Sequence, residues 1–311
     1  MNRVGVNHRT QLLSGRTHPE LAAEIAACMG LELTDVKLGN FANGEVSIRF
    51  NESLRGNDVF ILQTHGTKVH ESIFEQLLMI DAAKRASARS ITAVCPLISY
   101  SRQDRKSAGR EPIGARLLVD MISAAGADRI MSVDLHSGQT QGFFDGPFDH
   151  IIAMPLFKKY VREHFGDEFV FVSPDAGRVK LAERYSSSLG SAMAIIHKAR
   201  STVKHNSVEA KHLIGDVKGK NCVIIDDMID TAGTFCAAAD MLDVRAIDAD
   251  LAKLNPQGLE EIDLRLAVVP PPREDGAGLL PDRFCRLFER ALDRVSHAPP
   301  ARQVPHHSRA E

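Results

Sequence analysis

The sequence predicts an α/β protein with two similar doubly wound domains, each built on a parallel sheet. Three observations support this prediction. Apolar strand-like runs alternate with amphipathic helical runs, which is typical of βαβ units. The alternation occurs twice along the chain, and reactive side chains follow several strands in both halves. With 311 residues, the chain is long enough for two domains of ordinary size.

The first half of the chain contains three strand-like runs separated by helical runs. Apolar residues dominate the strand-like runs 58–64, 91–98 and 129–135. Helical periodicity covers 71–87 and 114–126. These elements predict a first domain over residues 1–148, with a parallel sheet.

The second half repeats this pattern. Three further runs rich in apolar residues are interpreted as buried strands, over 169–175, 192–198 and 221–227. Helices are expected over 178–188 and after Thr234. These elements predict a second domain over residues 149–296. Residues 297–311 are rich in Pro, His and Arg, so we expect a disordered tail there.

Composition excludes several classes of protein. The net charge of −2 argues against a general nucleic-acid-binding or membrane-binding surface. No apolar run approaches the roughly 18 residues of a membrane span, and the first residues lack the apolar core of a signal peptide. The five cysteines are scattered without a CxxC pair. We therefore expect reduced thiols and a cytoplasmic location.

The run VIIDDMIDTAGT at 223–234 is the most informative stretch. It predicts a buried strand, a Gly/Thr turn and a helix N-terminus, where backbone N–H groups and hydroxyls can bind a phosphate. Asp226 and Asp227 precede the turn, where carboxylates can accept hydrogen bonds from sugar hydroxyls. The pattern favours a sugar-phosphate site. The alternative is an ordinary strand–turn–helix with a solvated acidic end.

Other strand ends carry candidate metal and phosphate ligands. Asp134 and His136 are two residues apart, so we expect both on one face, where they could hold a divalent cation with Asp175. Local hydrogen bonding by His136 is an equally favoured alternative. Arg102 and Gln103 follow another strand and could contact phosphate or adenine, although a solvated loop would look the same.

A polar stretch over 201–212 follows Lys198 and Arg200. It has few apolar anchors, and we expect a mobile loop there. Such a loop suits a lid that brings cations to phosphates in a transition state. A plain surface loop is the alternative, and the stretch alone would favour it.

Taken together, these motifs resemble class I ribose-phosphate diphosphokinases, the PRPP synthetases. The quoted segments are FANGEVSIRF, the RQD after ITAVCPLISY, REPIGARL, VDLH, QGFFDGP, VSPDAGR, HKAR and GDVKGKNCVIIDDMIDTAGT. They follow the family's order. The loop at 226–234 alone also resembles type I phosphoribosyltransferases, which would leave FANGE, RQD and the first domain unexplained.

The resemblance implies two domains of the type I phosphoribosyltransferase-like kind and roles for specific residues. For ATP it implies Phe41, Asn43, Gly44, Glu45, Arg102 and Gln103. For ribose 5-phosphate it implies Asp226, Asp227, Asp230, Thr231, Ala232, Gly233 and Thr234. His136 and Asp175 would serve Mg²⁺, and Lys198 and Arg200 would be the catalytic cations.

The implied reaction transfers the diphosphoryl group of MgATP to the anomeric hydroxyl of ribose 5-phosphate, giving PRPP and AMP. Asp226 and Asp227 are both open as proton acceptors. The resemblance also implies a homo-oligomer of the hexamer type, in which the FANGE loop reaches a neighbouring subunit. A non-catalytic paralogue is the alternative function.

The resemblance fades beyond Met241. The family's next strand is not recognisable there, and residues 264–269 are a candidate for a later strand. Residues 281–295 are a candidate closing helix. A smaller departure is Gly114, at a position that is usually Thr or Ser in the family. These departures motivate the non-catalytic alternative.

Overall fold

The structure is a computed structural model that describes residues 8–66, 68–165, 169–199, 210–217, 220–228, 233–242 and 266–268. Two five-stranded sheets and a separate hairpin form its framework. Within these residues, no helix combines the length and the apolar character needed to cross a bilayer. The two sheets confirm the predicted α/β class.

In the described part of the first domain there are seven strands and three α-helices. They are β1 (Thr10–Ser14), α1 (Pro19–Cys28), β2 (Val36–Asn40), β3 (Val46–Phe50), β4 (Asp58–Leu62), α2 (Val69–Arg85), β5 (Ser90–Cys95), α3 (Gly114–Ala125), β6 (Arg129–Val133) and β7 (Phe148–Ile151). A short 3-10 helix, Gly138–Phe143, precedes β7.

The first sheet is entirely parallel, in the order β1-β4-β5-β6-β7. Leu33 forms a parallel bridge with Leu12 on the free edge of β1, so the chain winds in both directions from β1. The central strands are nearly continuous apolar runs because helices cover both of their faces. Side chains of α1 pack on one face, and those of α2 and α3 pack on the other.

β2 and β3 form an antiparallel hairpin outside the main sheets. Its turn is closed by the Phe41 N–H, which donates to the Glu45 carbonyl at 2.8 Å. Gly44 has φ +91°, a conformation that costs other residues more than glycine. The Phe41 side chain is 59 % exposed, so the tip presents an aromatic ring to its surroundings.

The second domain contains α4 (Met154–Phe165), β8 (Phe169–Ser173), α5 (Val179–Leu189), β9 (Ala192–Ala199), β10 (Ala210–Ile214), β11 (Asn221–Ile225), α6 (Gly233–Met241) and β12 (Leu266–Val268). The sheet order is β10-β9-β8-β11-β12. The three central strands are parallel. From β8, the chain reaches β9 on one side and β11 on the other, so this sheet is also doubly wound.

Both edges of the second sheet correct the sequence-based expectation. β10 is antiparallel to β9, and β12 is antiparallel to β11, so the sheet is mixed. The prediction of a loop over 201–212 was wrong for its last residues, because β10 begins at Ala210. This strand lacks the long apolar run that marks a central strand, which is why the sequence did not reveal it. The candidate strand at 264–269 does contain β12.

The ends of two elements bear on the predicted join between the domains. β7 pairs with β6 of the first sheet as far as Ile151, and α4 begins at Met154. Side chains of α4 pack against one face of the second sheet. We propose a join between Ile151 and Met154 on these grounds, and the boundary after residue 148 stays a prediction. The expected helix over 281–295 and the tail over 297–311 lie outside the described residues.

Candidate active site

The carboxyl ends of β8 and β11 meet where the strand order of the second sheet reverses. Ligands of open α/β sheets bind in the crevice at such a point. Asp175 follows β8, and Asp226 and Asp227 follow β11. β9 is parallel to β8, so its end, with Lys198, lies at the same edge of the sheet.

Arg178 joins the two aspartates that follow β11. Its Nε lies 2.6 Å from Asp226 Oδ1, and its Nη2 lies 2.7 Å from Asp227 Oδ1. All three side chains are largely buried, with exposed fractions of 19 %, 12 % and 9 %. Two carboxylates sharing one guanidinium leave an excess negative charge, which suits a cation or a donor of hydroxyl hydrogen bonds.

His136 of the first domain completes this cluster. Its Nδ1 lies 2.6 Å from Asp227 Oδ2 and 2.8 Å from Arg178 Nη2. One nitrogen cannot donate to the carboxylate and accept from the guanidinium together. In the observed geometry Arg178 Nη2 donates to Nδ1, and it also contacts Asp227 Oδ1. The buried Asp227 Oδ2 has no hydrogen-bond partner among the described residues, and it would gain one in the tautomer that carries the proton on Nδ1.

The two aspartates differ in their proton affinity. Burial raises the pKa of Asp226, and a hydrogen bond with Asp227 adds to this effect against the charge of Arg178. Burial acts in the same direction on Asp227. There, however, hydrogen bonds to His136 and Asp226 and the charge of Arg178 together prevail, so the pKa of Asp227 is lowered. A proton held by the pair therefore resides on Asp226.

The turn after β8 explains how Arg178 is presented. Asp175 Oδ1 accepts the N–H groups of Gly177 at 2.8 Å and Arg178 at 3.2 Å. This cap holds the short 3-10 helix Ala176–Arg178, which leads directly into α5. The predicted metal ligand Asp175 thus has a structural role in the turn.

The segment after β6 differs from the expected geometry. β6 ends at Val133, and Asp134 has φ +41°, so Asp134 and His136 do not alternate along a strand as we expected. The Asp134 carboxylate instead accepts the Ala153 N–H at 3.1 Å. Among the described residues, no group of three His, Cys, Asp or Glu side chains could hold a metal ion.

The predicted ATP-binding residues Arg102 and Gln103 are exposed and follow β5, the neighbour of β6. The Gln103 N–H donates to the Tyr100 carbonyl at 2.8 Å, and the Gln103 carbonyl accepts the Ala115 N–H at 3.2 Å. A hydrogen bond between Gln139 and Asp104 links this segment to the 3-10 helix that follows His136. The segments after β5 and β6 therefore lie together.

The phosphate loop is partly described. β11 ends at Ile225 and α6 begins at Gly233, which agrees with the predicted strand–loop–helix order. Thr234 is half-buried in the first turn of α6. Four predicted site residues lie outside the described residues: Arg200, Asp230, Thr231 and Ala232.

Two family models match the chain. The N-terminal domain of ribose phosphate pyrophosphokinase matches residues 10–126, and the phosphoribosyl transferase domain matches residues 146–247. The ribose-phosphate pyrophosphokinase of Bifidobacterium longum is 53% identical over 235 residues, which cover 74% of this chain and 69% of the relative. The chain belongs to the ribose-phosphate pyrophosphokinase family.

Further similarities agree with this family. The pyrophosphokinase of Corynebacterium efficiens is 53% identical over 76% of this chain and 74% of its own length. A crystal structure of phosphoribosylpyrophosphate synthetase from Mycobacterium smegmatis is 50% identical in sequence. It superposes with a TM-score of 0.71 and covers 75% of this chain and 76% of the other.

Arg178 was not among the site residues predicted from the sequence of this pyrophosphokinase. The motif VSPDAGR was recognised, but its arginine was given no role. The sequence did offer one signal for Arg178: a cationic residue lies five positions after the end of β8 and three after the capping residue Asp175. Its partners come from other strands, so the sequence around Arg178 does not name them.

Proposed function

We propose that this chain transfers the diphosphoryl group of MgATP to the anomeric hydroxyl of ribose 5-phosphate, producing PRPP and AMP. One observation carries the proposal. In a member of this family, the segments that follow β6, β8 and β11 meet in a single crevice through His136, Arg178 and Asp227. The comparisons offer nothing in favour of a non-catalytic paralogue.

Ribose 5-phosphate is proposed to bind at the end of β11. Asp226 and Asp227 would accept hydrogen bonds from the ribose hydroxyls. The 5-phosphate would bind the backbone of Asp230, Thr231, Ala232, Gly233 and Thr234. The position of Gly233 at the start of α6 supports this phosphate site, because a helix N-terminus offers unpaired N–H groups to an anion.

ATP is proposed to bind beside the end of β5, with Arg102 and Gln103 as its contacts there. The hairpin tip would add Phe41, Asn43, Gly44 and Glu45 from a neighbouring subunit of a homo-oligomer. The exposed Phe41 ring supports this role, because an aromatic face left in water can stack on adenine. The three described free thiols support a reducing compartment such as the cytoplasm.

The reaction needs position and charge more than covalent chemistry. The anomeric oxygen forms a bond to the β-phosphorus of ATP while the bond from that phosphorus to the α-phosphate oxygen breaks and AMP leaves. Lys198 and Arg200 would neutralise charge on the transferring group. The anomeric proton would go to a carboxylate, with Asp226 and Asp227 as the alternatives.

Mg²⁺ would be held mainly by substrate phosphates, with His136 and Asp175 contributing from the protein. His136 fits this role in the tautomer that carries its proton on Nδ1 beside Asp227, because that tautomer leaves the Nε2 lone pair for a cation. A site with few protein ligands also fits Mg²⁺, which usually retains waters and phosphate oxygens. Bound Mg²⁺ would neutralise the phosphates and favour departure of AMP.

The test is AMP release from ATP and Mg²⁺ by the purified chain, with and without ribose 5-phosphate. We expect release that depends on the sugar phosphate, with PRPP formed in equal amount. Folded protein that binds ATP and releases no AMP would contradict the proposal. Copurification of that inactive protein with an active synthetase would then support the non-catalytic alternative.

A further inference from the structure

Arg178 contacts two largely buried carboxylates, and the proposed function gives it no contact with substrate. It lies between the ends of β8 and β11 and contacts Asp226, Asp227 and His136. The turn capped by Asp175 presents Arg178 to this crevice.

The charges around Arg178 explain why a cation is needed. Asp226 and Asp227 are adjacent in sequence and mostly buried, so two ionised carboxylates would repel each other without a counter-charge. A guanidinium can donate from separate N–H groups to two carboxylates at once, which a lysine ammonium does less well. The observed distances of 2.6 and 2.7 Å use this geometry.

The backbone of Arg178 is held by the turn after β8. Its backbone N–H donates to Asp175 Oδ1, and the residue is the N-cap of α5. The guanidinium therefore cannot follow the aspartates freely if they move. It holds them in one orientation relative to β8, at the edge where the sugar is proposed to bind.

We propose that Arg178 is a positioning residue for ribose 5-phosphate, acting by holding Asp226 and Asp227 in the orientation that accepts the ribose hydroxyls. This inference rests on the proposed function. Arg178 acts through the two carboxylates and is not itself a phosphate ligand. Its removal weakens binding of the sugar phosphate and leaves binding of ATP unchanged.

Arg178→Gln tests this role, with Arg184→Gln as the matched control. Arg184 is exposed on α5, the helix that Arg178 caps, so each variant loses one positive charge in this part of the chain. For Arg178→Gln we expect the KM for ribose 5-phosphate to rise by about tenfold or more, because a buried carboxylate without its guanidinium partner loses its orientation. The KM for ATP stays unchanged. Arg184→Gln resembles the wild type in both.

Two further measurements separate positioning from general stability. Calorimetric binding of ribose 5-phosphate without ATP shows the same weakening, whereas a purely structural role would lower the melting temperature alone. In an Asp226→Asn background, Arg178→Gln adds much less to the KM than it does in the wild type. If Arg178→Gln does not fold, Arg178→Lys carries the test, with a smaller rise in the same KM.

The outcomes distinguish this inference from the proposed function. Active wild type together with an Arg178→Gln variant of normal KM for ribose 5-phosphate overturns the positioning role only. Wild type that binds ribose 5-phosphate but releases no AMP overturns the proposed reaction, and calorimetry then decides the role of Arg178. Wild type that binds no ribose 5-phosphate overturns both.

Discussion

Gly114 is the first residue of α3, and the side chain of Gln103 lies over it. A Cβ atom at position 114 would lie 2.6 Å from Gln103 Oε1 and 3.0 Å from Tyr100 Cδ1. The carboxamide is the far end of an exposed, flexible side chain, so it would move before the helix does. We therefore expect Gly114→Ala to displace the Gln103 carboxamide and to raise the KM for ATP several-fold, without loss of stability.

The double variant tests this link. In a Gln103→Ala background, Gly114→Ala should leave the KM for ATP unchanged, because the displaced group is absent. The helix should become slightly more stable, since alanine favours helices over glycine by up to about 1 kcal/mol. An equal rise in KM in both backgrounds would show that Gly114 acts through another neighbour.

Lys198 lies near the end of β9, at the sheet edge that carries the crevice. For Lys198→Ala we expect a loss in kcat of about a hundredfold or more, because a cation at developing phosphate charge is worth several kcal/mol. Lys159→Ala is the control, since Lys159 is exposed on α4. Steady-state kinetics measure both. A Lys198→Ala variant with wild-type kcat would remove Lys198 from the proposed chemistry.

At this scale, sequence reasoning found residues whose signal is local. Asp226 and Asp227 end an apolar run and precede a Gly/Thr turn, so their position in the sequence predicted a sugar-phosphate site. The side chains that contact Arg178 follow other strands, so the residues next to Arg178 in the sequence do not indicate these contacts. Asp134 was misjudged because its positive φ breaks the alternation of side chains that a strand would give.

The turn between β8 and α5 depends on the cap supplied by Asp175. We expect Asp175→Ala to lower the free energy of unfolding by about 1 kcal/mol, because two backbone N–H groups lose their acceptor. Asp175→Asn should retain most of that stability, since its amide oxygen can still accept. Urea unfolding of the two variants measures the difference.

The same pair of variants separates capping from metal binding. If Asp175 also serves Mg²⁺, Asp175→Asn should need more Mg²⁺ for half-maximal activity although its stability is nearly normal. An Asp175→Asn variant with an unchanged Mg²⁺ requirement would leave the residue as a cap alone.

Secondary-structure elements differed in how clearly the sequence marked them. β4, β5, β8 and β11 are buried on both faces, and their apolar runs were recognised. The hairpin strand β2 and the edge strand β10 pair by backbone hydrogen bonds with partly exposed side chains, so they resemble loops in sequence. The helix α4 was missed although it packs against the second sheet.

The stability of the whole molecule should fall in mild acid because of His65. This side chain is buried between β4 and α2, with Nε2 2.9 Å from Gln76 Oε1 and Nδ1 accepting the Ser99 N–H at 3.3 Å. Burial lowers the pKa of His65 to about 4, despite the hydrogen bond to Gln76. A proton on Nδ1 would face the Ser99 donor.

The sign follows from proton binding in the two states. Unfolded His65 titrates near its usual pKa of 6.5 and folded His65 near 4, so the unfolded state binds more protons between these values. The stabilisation is complete above pH 6.5 and is lost as the pH falls to 4, a difference of about 3 kcal/mol. Urea unfolding at pH 5 and pH 7.5 measures the test: the free energy of unfolding should differ less between the two pH values for His65→Gln than for the wild type.

The overall architecture was predictable because it repeats. Alternating strands and helices occur twice, and right-handed crossovers leave few ways to arrange them. The order of strands at the edges was not predictable, because the antiparallel pairing of β12 with β11 joins segments far apart in the chain. The strand β7 was not predicted, since it is short and only half-buried.

The proposed join after Ile151 also has a consequence for synthesis on the ribosome. All strands of the first sheet precede this residue, including the distant pair Thr10 and Asp58. Domains generally fold as units during translation, which proceeds at roughly 5–20 residues per second. His136 therefore belongs to a domain that can be folded several seconds before Asp227 has been translated. Slow codons after Ile151 would lengthen that interval and favour ordered assembly.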